Sequence, residues 1–205
     1  MKNIFSIIMI FTLCCGISFN TFASYDNIPM EIGAIMVNNE TGESIPIDIE
    51  ISLLPQDRAF SGEENSNQDV TAKATFKIPA EINPRFTDTS TTTTDVTASI
   101  SINYDRQGDK IRVNKVYGSW KPATSMIEIS KREVHYGDGV PLGGKSDHRY
   151  PTSNSFSYTT GWGWVDWYPA SSDAMSGARA FSSAVVSVPG MSGSHTIEVF
   201  VTANQ

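Results

Sequence analysis

The sequence predicts an all-β protein, an antiparallel β-sandwich of immunoglobulin-like outline. Three observations predict it. Short segments alternate apolar and polar residues, turn-forming Gly, Pro, Asn, Asp and Ser separate them, and helical periodicity is hard to find. Several short strands at this spacing are typical of sandwiches and of closed barrels. Strand number does not separate the two, so a β-barrel is the alternative fold.

The clearest strand pattern runs from Ile45 to Leu53, where five branched apolar residues alternate with mostly polar ones. A period of two places the five on one face of a half-buried strand. Pro46 near its start indicates an edge strand or a strand beginning. The other elements predicted in this half are strands over 31–37 and 70–78, a polar loop over 55–68, and a linker or extended edge strand over the threonine-rich 88–95.

The second half begins with a β-hairpin whose strands cover 96–105 and 111–120. The residues between them, 106–109, predict a loop longer than the minimum. A shift in apolar phase between Val113 and Val116 indicates a β-bulge. The remaining predicted elements are strands over 126–136 and 156–168, a Gly- and charge-rich loop over 137–150, and a closing hairpin with strands over 181–188 and 195–201 and a turn at 189–193.

The N-terminus has the pattern of a signal peptide. Lys2 is its only charged residue, and an apolar run too short to span a bilayer follows. Small residues at Thr21 and Ala23 predict cleavage after Ala23. We therefore expect a secreted, extracellular protein with a signal peptide over 1–23, a β-rich region with polar loops over 24–93, and a sandwich region over 94–205. No second apolar stretch is long enough to span a membrane.

Cysteine content and net charge limit which partners and cofactors are expected. Cys14 and Cys15 both lie in the signal peptide, so the mature chain should hold no disulfide, thiolate nucleophile or Cys-ligated zinc. Lipidation would need a small residue before the modified Cys, and Leu13 precedes Cys14. The formal net charge of −7 disfavours nucleic acid and anionic membranes as partners.

The stretch from 95 to 201 resembles small uncharacterised secreted proteins of Gram-positive bacteria. The segments that carry the resemblance are Ile100–Tyr104, Val116–Trp120, Val134–Asp138 and Tyr150–Trp162. The resemblance covers about the C-terminal half. It implies export and a β-fold, and it implies no activity, cofactor or site residue.

A cluster of aromatic residues is the strongest candidate binding site. On a regular strand, Trp162, Trp164, Asp166 and Tyr168 share one face, whereas Trp167 points to the other. Flat rings beside hydrogen-bonding groups can stack on sugars, which predicts a ligand platform. Ordinary core packing of the rings is the alternative interpretation.

Metal sites have weaker support. Asp138, Asp147 and His148 fall in the Gly-rich loop, where oxygen ligands could hold calcium, but the spacing matches no EF-hand. Zinc would need His148 together with His135 and His195, which lie far apart in sequence. We therefore assign no metal ligand and no cofactor.

Catalytic patterns are also weak. A Gly-x-Ser-x-Gly nucleophile elbow is absent, and carboxylate pairs cannot be judged without their separation in space. The sequence thus predicts a non-enzymatic protein with no catalytic residue, a binding or structural module that recognises carbohydrate, a cell-surface polysaccharide or a protein. The alternatives are a secreted toxin or bacteriocin-like effector and a hydrolase.

Overall fold

The computed structural model describes residues 32–55, 66–78, 95–169, 176–188 and 193–203. Within these ranges the chain forms twelve strands and no helix, and so has no helix able to cross a membrane. The strands are β1 Gly33–Asn38, β2 Ser44–Ile47, β3 Ile49–Pro55, β4 Ser66–Lys77, β5 Asp95–Gln107, β6 Lys110–Pro122, β7 Glu128–Gly137, β8 Ser146–Arg149, β9 Ser155–Thr159, β10 Val165–Asp166, β11 Arg179–Ser187 and β12 Ser194–Thr202.

Several predicted segments lie outside the described residues. They are the signal peptide over 1–23, most of the polar loop over 55–68, the threonine-rich segment up to 94, and the closing turn at 189–192.

The strands form two six-stranded antiparallel sheets that face each other. Sheet A has the order β2-β1-β12-β11-β7-β8. Sheet B has the order β10-β6-β5-β4-β3, and β9 pairs with β6 beside β10. Strand β12 lies over β4 and β5, and β11 lies over β5. Neither sheet closes on itself among the described strands. The predicted sandwich is therefore confirmed, and the alternative of a closed barrel is wrong.

Strands from both ends of the chain enter both sheets. In sheet A, β1 pairs with β12 from Gly33↔Phe200 to Asn38↔His195. In sheet B, β4 pairs with β5 along its whole length. Residues from 32–78 and from 95–203 therefore share one hydrophobic core.

The core lies between the sheets and follows the alternation of the strands. Every second residue of β5 from Val96 to Tyr104 is buried, and Ile100 has no exposed surface. Trp120 of β6 is also fully buried, with its ring centre 5.1 Å from that of Phe156. Burial of apolar surface at about 25 cal/mol per Å² is the main favourable term that holds the two sheets together.

The β5–β6 hairpin confirms the predicted bulge and corrects the predicted loop. The pairing shifts between Asn103 and Tyr104, which leaves Asn114 unpaired and lets Val113 and Val116 both face the core. The loop has only two residues, because 106–107 continue β5. Gly108 adopts a φ of 55°, which a two-residue turn of the II′ kind requires at its first position.

The run from Ile45 to Leu53 is not one strand. The chain leaves sheet A after Ile47, passes through Asp48, and enters sheet B at Ile49. Ile51 and Leu53 keep one face but stay 52% and 51% exposed, because β3 is an edge strand with a neighbour on one side only. The predicted half-buried face is therefore wrong for the outer part of this segment.

Candidate functional site

A cavity of about 560 Å³ opens on the outer face of sheet A. We call it the sheet A cavity. Its floor is formed by outward side chains of β7, β11 and β12, chiefly His135, Phe181, Ser183 and Glu198. The loop that joins β7 to β8 forms one wall. The volume lies within the usual range for small-molecule sites, about 300–1,000 Å³.

Strand register places the floor residues in two rows. In one row, Ser183 of β11 lies between Glu198 of β12 and Glu133 of β7. In the next row, Phe181 lies between Phe200 and His135. Residues two apart on a strand share a face and are separated by about 6.6 Å. A carboxylate row and an aromatic row therefore run side by side across three strands.

The aromatic row continues onto the edge strand β8. Ring centres are 5.8 Å apart for Phe181 and Phe200, 6.5 Å for His135 and Phe181, and 5.5 Å for His135 and His148. Tyr150, with 67% of its surface exposed, lies 4.6 Å from His148. The outer face of sheet A thus presents a strip of rings from a covered end at Phe200 to an open end at Tyr150.

Burial changes the titration of two floor residues. It raises the pKa of Glu198 to about 7, since the residue lies between Ser183 and the buried Ile35, and none of the ion pairs in the described ranges includes it. Burial also lowers the pKa of His135, and the neighbouring ring of His148 lowers it further. Glu133 carries a partner of its own, with Oε2 3.2 Å from Nε2 of His148. Near neutral pH the floor therefore offers both donors and acceptors of hydrogen bonds.

The wall of the cavity is a fixed loop. The carboxylate of Asp138 is almost fully buried and accepts the N–H groups of Val140 at 3.1 Å and Lys145 at 3.0 Å. Gly139 has a φ of 75°, and a Cβ there would collide with the backbone of Gly177. The predicted Gly-rich loop over 137–150 is thus ordered at its base, and its last part forms β8.

The same contacts bear on the metal hypotheses. Both Asp138 oxygens are used by backbone N–H groups, and Asp147 Oδ2 accepts the hydroxyl of Tyr136 at 3.1 Å. His135 and His148 are neighbours, but His195 is buried on the opposite face of sheet A. In the described part of the chain no group of three or more His, Cys, Asp or Glu side chains could hold a metal ion.

The four residues of the predicted platform do not lie on one regular strand. The chain between β9 and β10 is irregular and turns at Gly161, which has a φ of 64°. Trp162 packs on the core with its ring 5.7 Å from that of Tyr136. Trp164 lies under the guanidinium of Arg112 at 4.9 Å. The strand alternation expected for this segment is therefore absent between 160 and 164.

The remaining platform residues are exposed. Asp166 Oδ1 accepts a hydrogen bond from Nζ of Lys110 at 3.3 Å, and Tyr168 is 37% exposed. Trp164 and Asp166 border a second, smaller cavity of about 340 Å³. Lys110 and Lys145 also border it, and the loop over 138–145 separates it from the sheet A cavity. A ligand role for the four residues stays a prediction.

No pattern in the sequence predicted the floor of the sheet A cavity. Its residues come from β7, β11 and β12, and no local pattern shows that these strands are neighbours. One signal was present: Glu198 is a charged residue inside the otherwise apolar run from Ile197 to Val201. A charge at a partly buried strand position is unusual enough to mark a candidate site.

No protein-family model, curated protein or solved structure matches this chain.

Proposed function

We propose that the protein is a non-catalytic saccharide-binding module that acts outside the cell, with the sheet A cavity as its binding site. One observation carries the proposal: an aromatic row and a carboxylate row lie side by side on the floor of one cavity. The expected occupant is a unit of a cell-surface polysaccharide.

The chemistry of a sugar suits this floor. A pyranose has a face of C–H groups, which packs on the flat ring of Phe181, and a rim of hydroxyl groups, which need hydrogen-bond partners. Glu133 and Glu198 supply acceptors one row away, and a protonated Glu198 can also donate. A purely apolar ligand would cover the carboxyl group of Glu198 without giving it a hydrogen-bond partner, which is unfavourable.

Direct titration tests the proposal. Isothermal titration calorimetry of the purified protein with a panel of oligosaccharides should give a saturable signal for at least one. Phe181→Ala should weaken that binding about fivefold, since stacking on an aromatic ring contributes about 1 kcal/mol beyond the burial of its area.

Val185→Ala is the matched control, because Val185 also faces outward from β11 but does not border the cavity. It should change the affinity less than twofold. Flat titrations with the whole panel, or equal losses in both variants, would contradict the proposal.

One observation favours a second candidate function, glycoside hydrolysis. Glu133 and Glu198 lie on either side of β11, so their backbones are about 9.5 Å apart, and burial raises the pKa of Glu198 to about 7. Inverting glycosidases pair an acid of raised pKa with a carboxylate base at about 6.5–9.5 Å. Release of reducing ends from a bound oligosaccharide, lost in Glu198→Gln, would support this function over simple binding.

A further inference from the structure

Arg179 is a buried cation at one end of the sheet A cavity. It begins β11, borders the cavity, and is only 5% exposed. Its Nε donates to the carbonyl of Gly177 at 3.1 Å, and its Nη2 donates to the carbonyl of Ser176. These two carbonyls hold the guanidinium in one orientation.

The third nitrogen of Arg179 has no partner. Nη1 is buried, and no residue that the structure describes accepts a hydrogen bond from it. None of the ion pairs found in the described ranges includes Arg179, and burial alone lowers its pKa. A guanidinium does not deprotonate in proteins, so the charge stays buried and uncompensated. Such a charge is strongly unfavourable unless an anion joins it.

The two ends of the cavity also differ in charge. Arg179 lies two residues from Phe181 on β11, and Ser183, flanked by the carboxylates, lies two residues further on. Lys145 borders the cavity from the wall loop, and Gly139 of that loop packs against the backbone of Gly177, two residues before Arg179. An elongated ligand whose anionic group sits at the Arg179 end is therefore kept away from Glu133 and Glu198.

We propose that Arg179 recognises a carboxylate on the ligand, and that the natural ligand of the sheet A cavity is an acidic saccharide, such as one that contains uronic acid. This rests on the proposed saccharide-binding function. A sugar ring on Phe181 has its carboxyl substituent within reach of a residue about 6.6 Å along the same strand. The planar fork of Arg matches a carboxylate, which can take both the free Nη1 and the second hydrogen of Nη2.

The test compares two ligands that differ only at C6 of each sugar, which carries a carboxylate in one and a hydroxymethyl group in the other. Tetragalacturonate and its carboxyl-reduced form are each titrated by calorimetry into the wild-type protein. The acidic form should bind at least about tenfold more tightly, as expected for hydrogen bonds to a charged partner. This arm needs no variant, so it stands even if substitution of Arg179 disturbs folding.

Two variants then locate the preference. Arg179→Gln should bind the acidic and the reduced ligand equally well. Arg149→Gln should still prefer the acidic ligand, because Arg149 is exposed on β8, pairs with Asp147 and does not border the cavity. Equal binding of the two ligands to the wild type overturns the carboxylate assignment but leaves the saccharide proposal in place. Binding of neither this pair nor any saccharide of the wider panel overturns both.

Discussion

Glu198 makes the stability of the protein depend on pH in a direction that can be worked out from its position. Burial raises the pKa of its carboxyl from 4.5 to about 7. Between these values the unfolded chain loses the proton and the folded chain keeps it. The stability that Glu198 contributes is therefore fully present below pH 4.5 and is lost as pH rises through 7.

The size of this effect follows from the same values. One pKa unit corresponds to about 1.4 kcal/mol, so the loss is about 2–3 kcal/mol after allowance for solvent at the exposed edge of the side chain. Glu198→Gln keeps the shape of the side chain but cannot ionise. At pH 8 we expect this variant to unfold at a higher urea concentration than the wild type. At pH 5 the free energies of unfolding of the two proteins should agree within about 1 kcal/mol.

Urea unfolding followed by tryptophan fluorescence at pH 5, 6, 7 and 8 measures this difference. The comparison between the two proteins is needed because the lowered pKa of His135 acts in the opposite direction, raising stability as pH increases. Glu50→Gln is the control, since Glu50 is exposed and pairs with Lys73 on the surface of sheet B. Parallel curves for the wild type and Glu198→Gln from pH 5 to 8 would contradict a raised pKa for Glu198 in the folded protein.

Three further predictions concern packing and loop order. Ile100→Ala should lower the free energy of unfolding by about 2–5 kcal/mol because the side chain is fully buried. Leu53→Ala should lower it by less than about 1.5 kcal/mol because half of that side chain is exposed, and equal losses of unfolding free energy in urea titrations would contradict the burial pattern. Gly118→Ala should cost about 1–3 kcal/mol, since a Cβ there would collide with the carbonyl oxygen of Ser99 and lie 2.7 Å from the ring of Phe156. An unchanged melting temperature would speak against that packing. Asp138→Ala should speed amide hydrogen exchange in 139–145 tenfold or more without changing exchange in β5, because the carboxylate accepts two N–H groups of that loop; unchanged exchange would mean that other contacts hold it.

Local alternation was enough to predict the interior of the sandwich. Strands β5 and β6 place one apolar face on the core, so a period of two identifies their buried residues directly. The bulge at Asn114 was also visible, because it shifts the apolar phase between Val113 and Val116. In these strands the residues that the hydrophobic effect buries lie two apart in the sequence, so the alternation alone identifies them.

The crossing at Asp48 could not be predicted in the same way. The apolar period continues without a break from Ile45 to Leu53, yet the chain changes sheets in its middle. Alternation shows which residues share a face but not which strand lies alongside. The exposure of Ile51 and Leu53 depends on β3 being an edge, and that is a property of the whole sheet.

The candidate site was hidden for the same physical reason. His135, Phe181 and Glu198 meet only because β7, β11 and β12 pair in one register, and a shift of one residue would turn them inward. The density of tryptophans drew attention to 162–168 instead. There the residues do cluster, but Trp162 packs on the core, whereas Trp164 and Asp166 border a different cavity.

Two-dimensional ¹⁵N–¹H NMR can show directly where a saccharide binds on the protein. The strongest oligosaccharide ligand from calorimetry would be titrated into the labelled protein. We expect the amide shifts to concentrate at Phe181, Ser183, Glu198 and the wall loop over 138–145, with little change at the indole N–H of Trp162. Shifts confined to 162–168, with the floor of the sheet A cavity unmoved, would contradict this expectation and would place the binding site on the tryptophan segment.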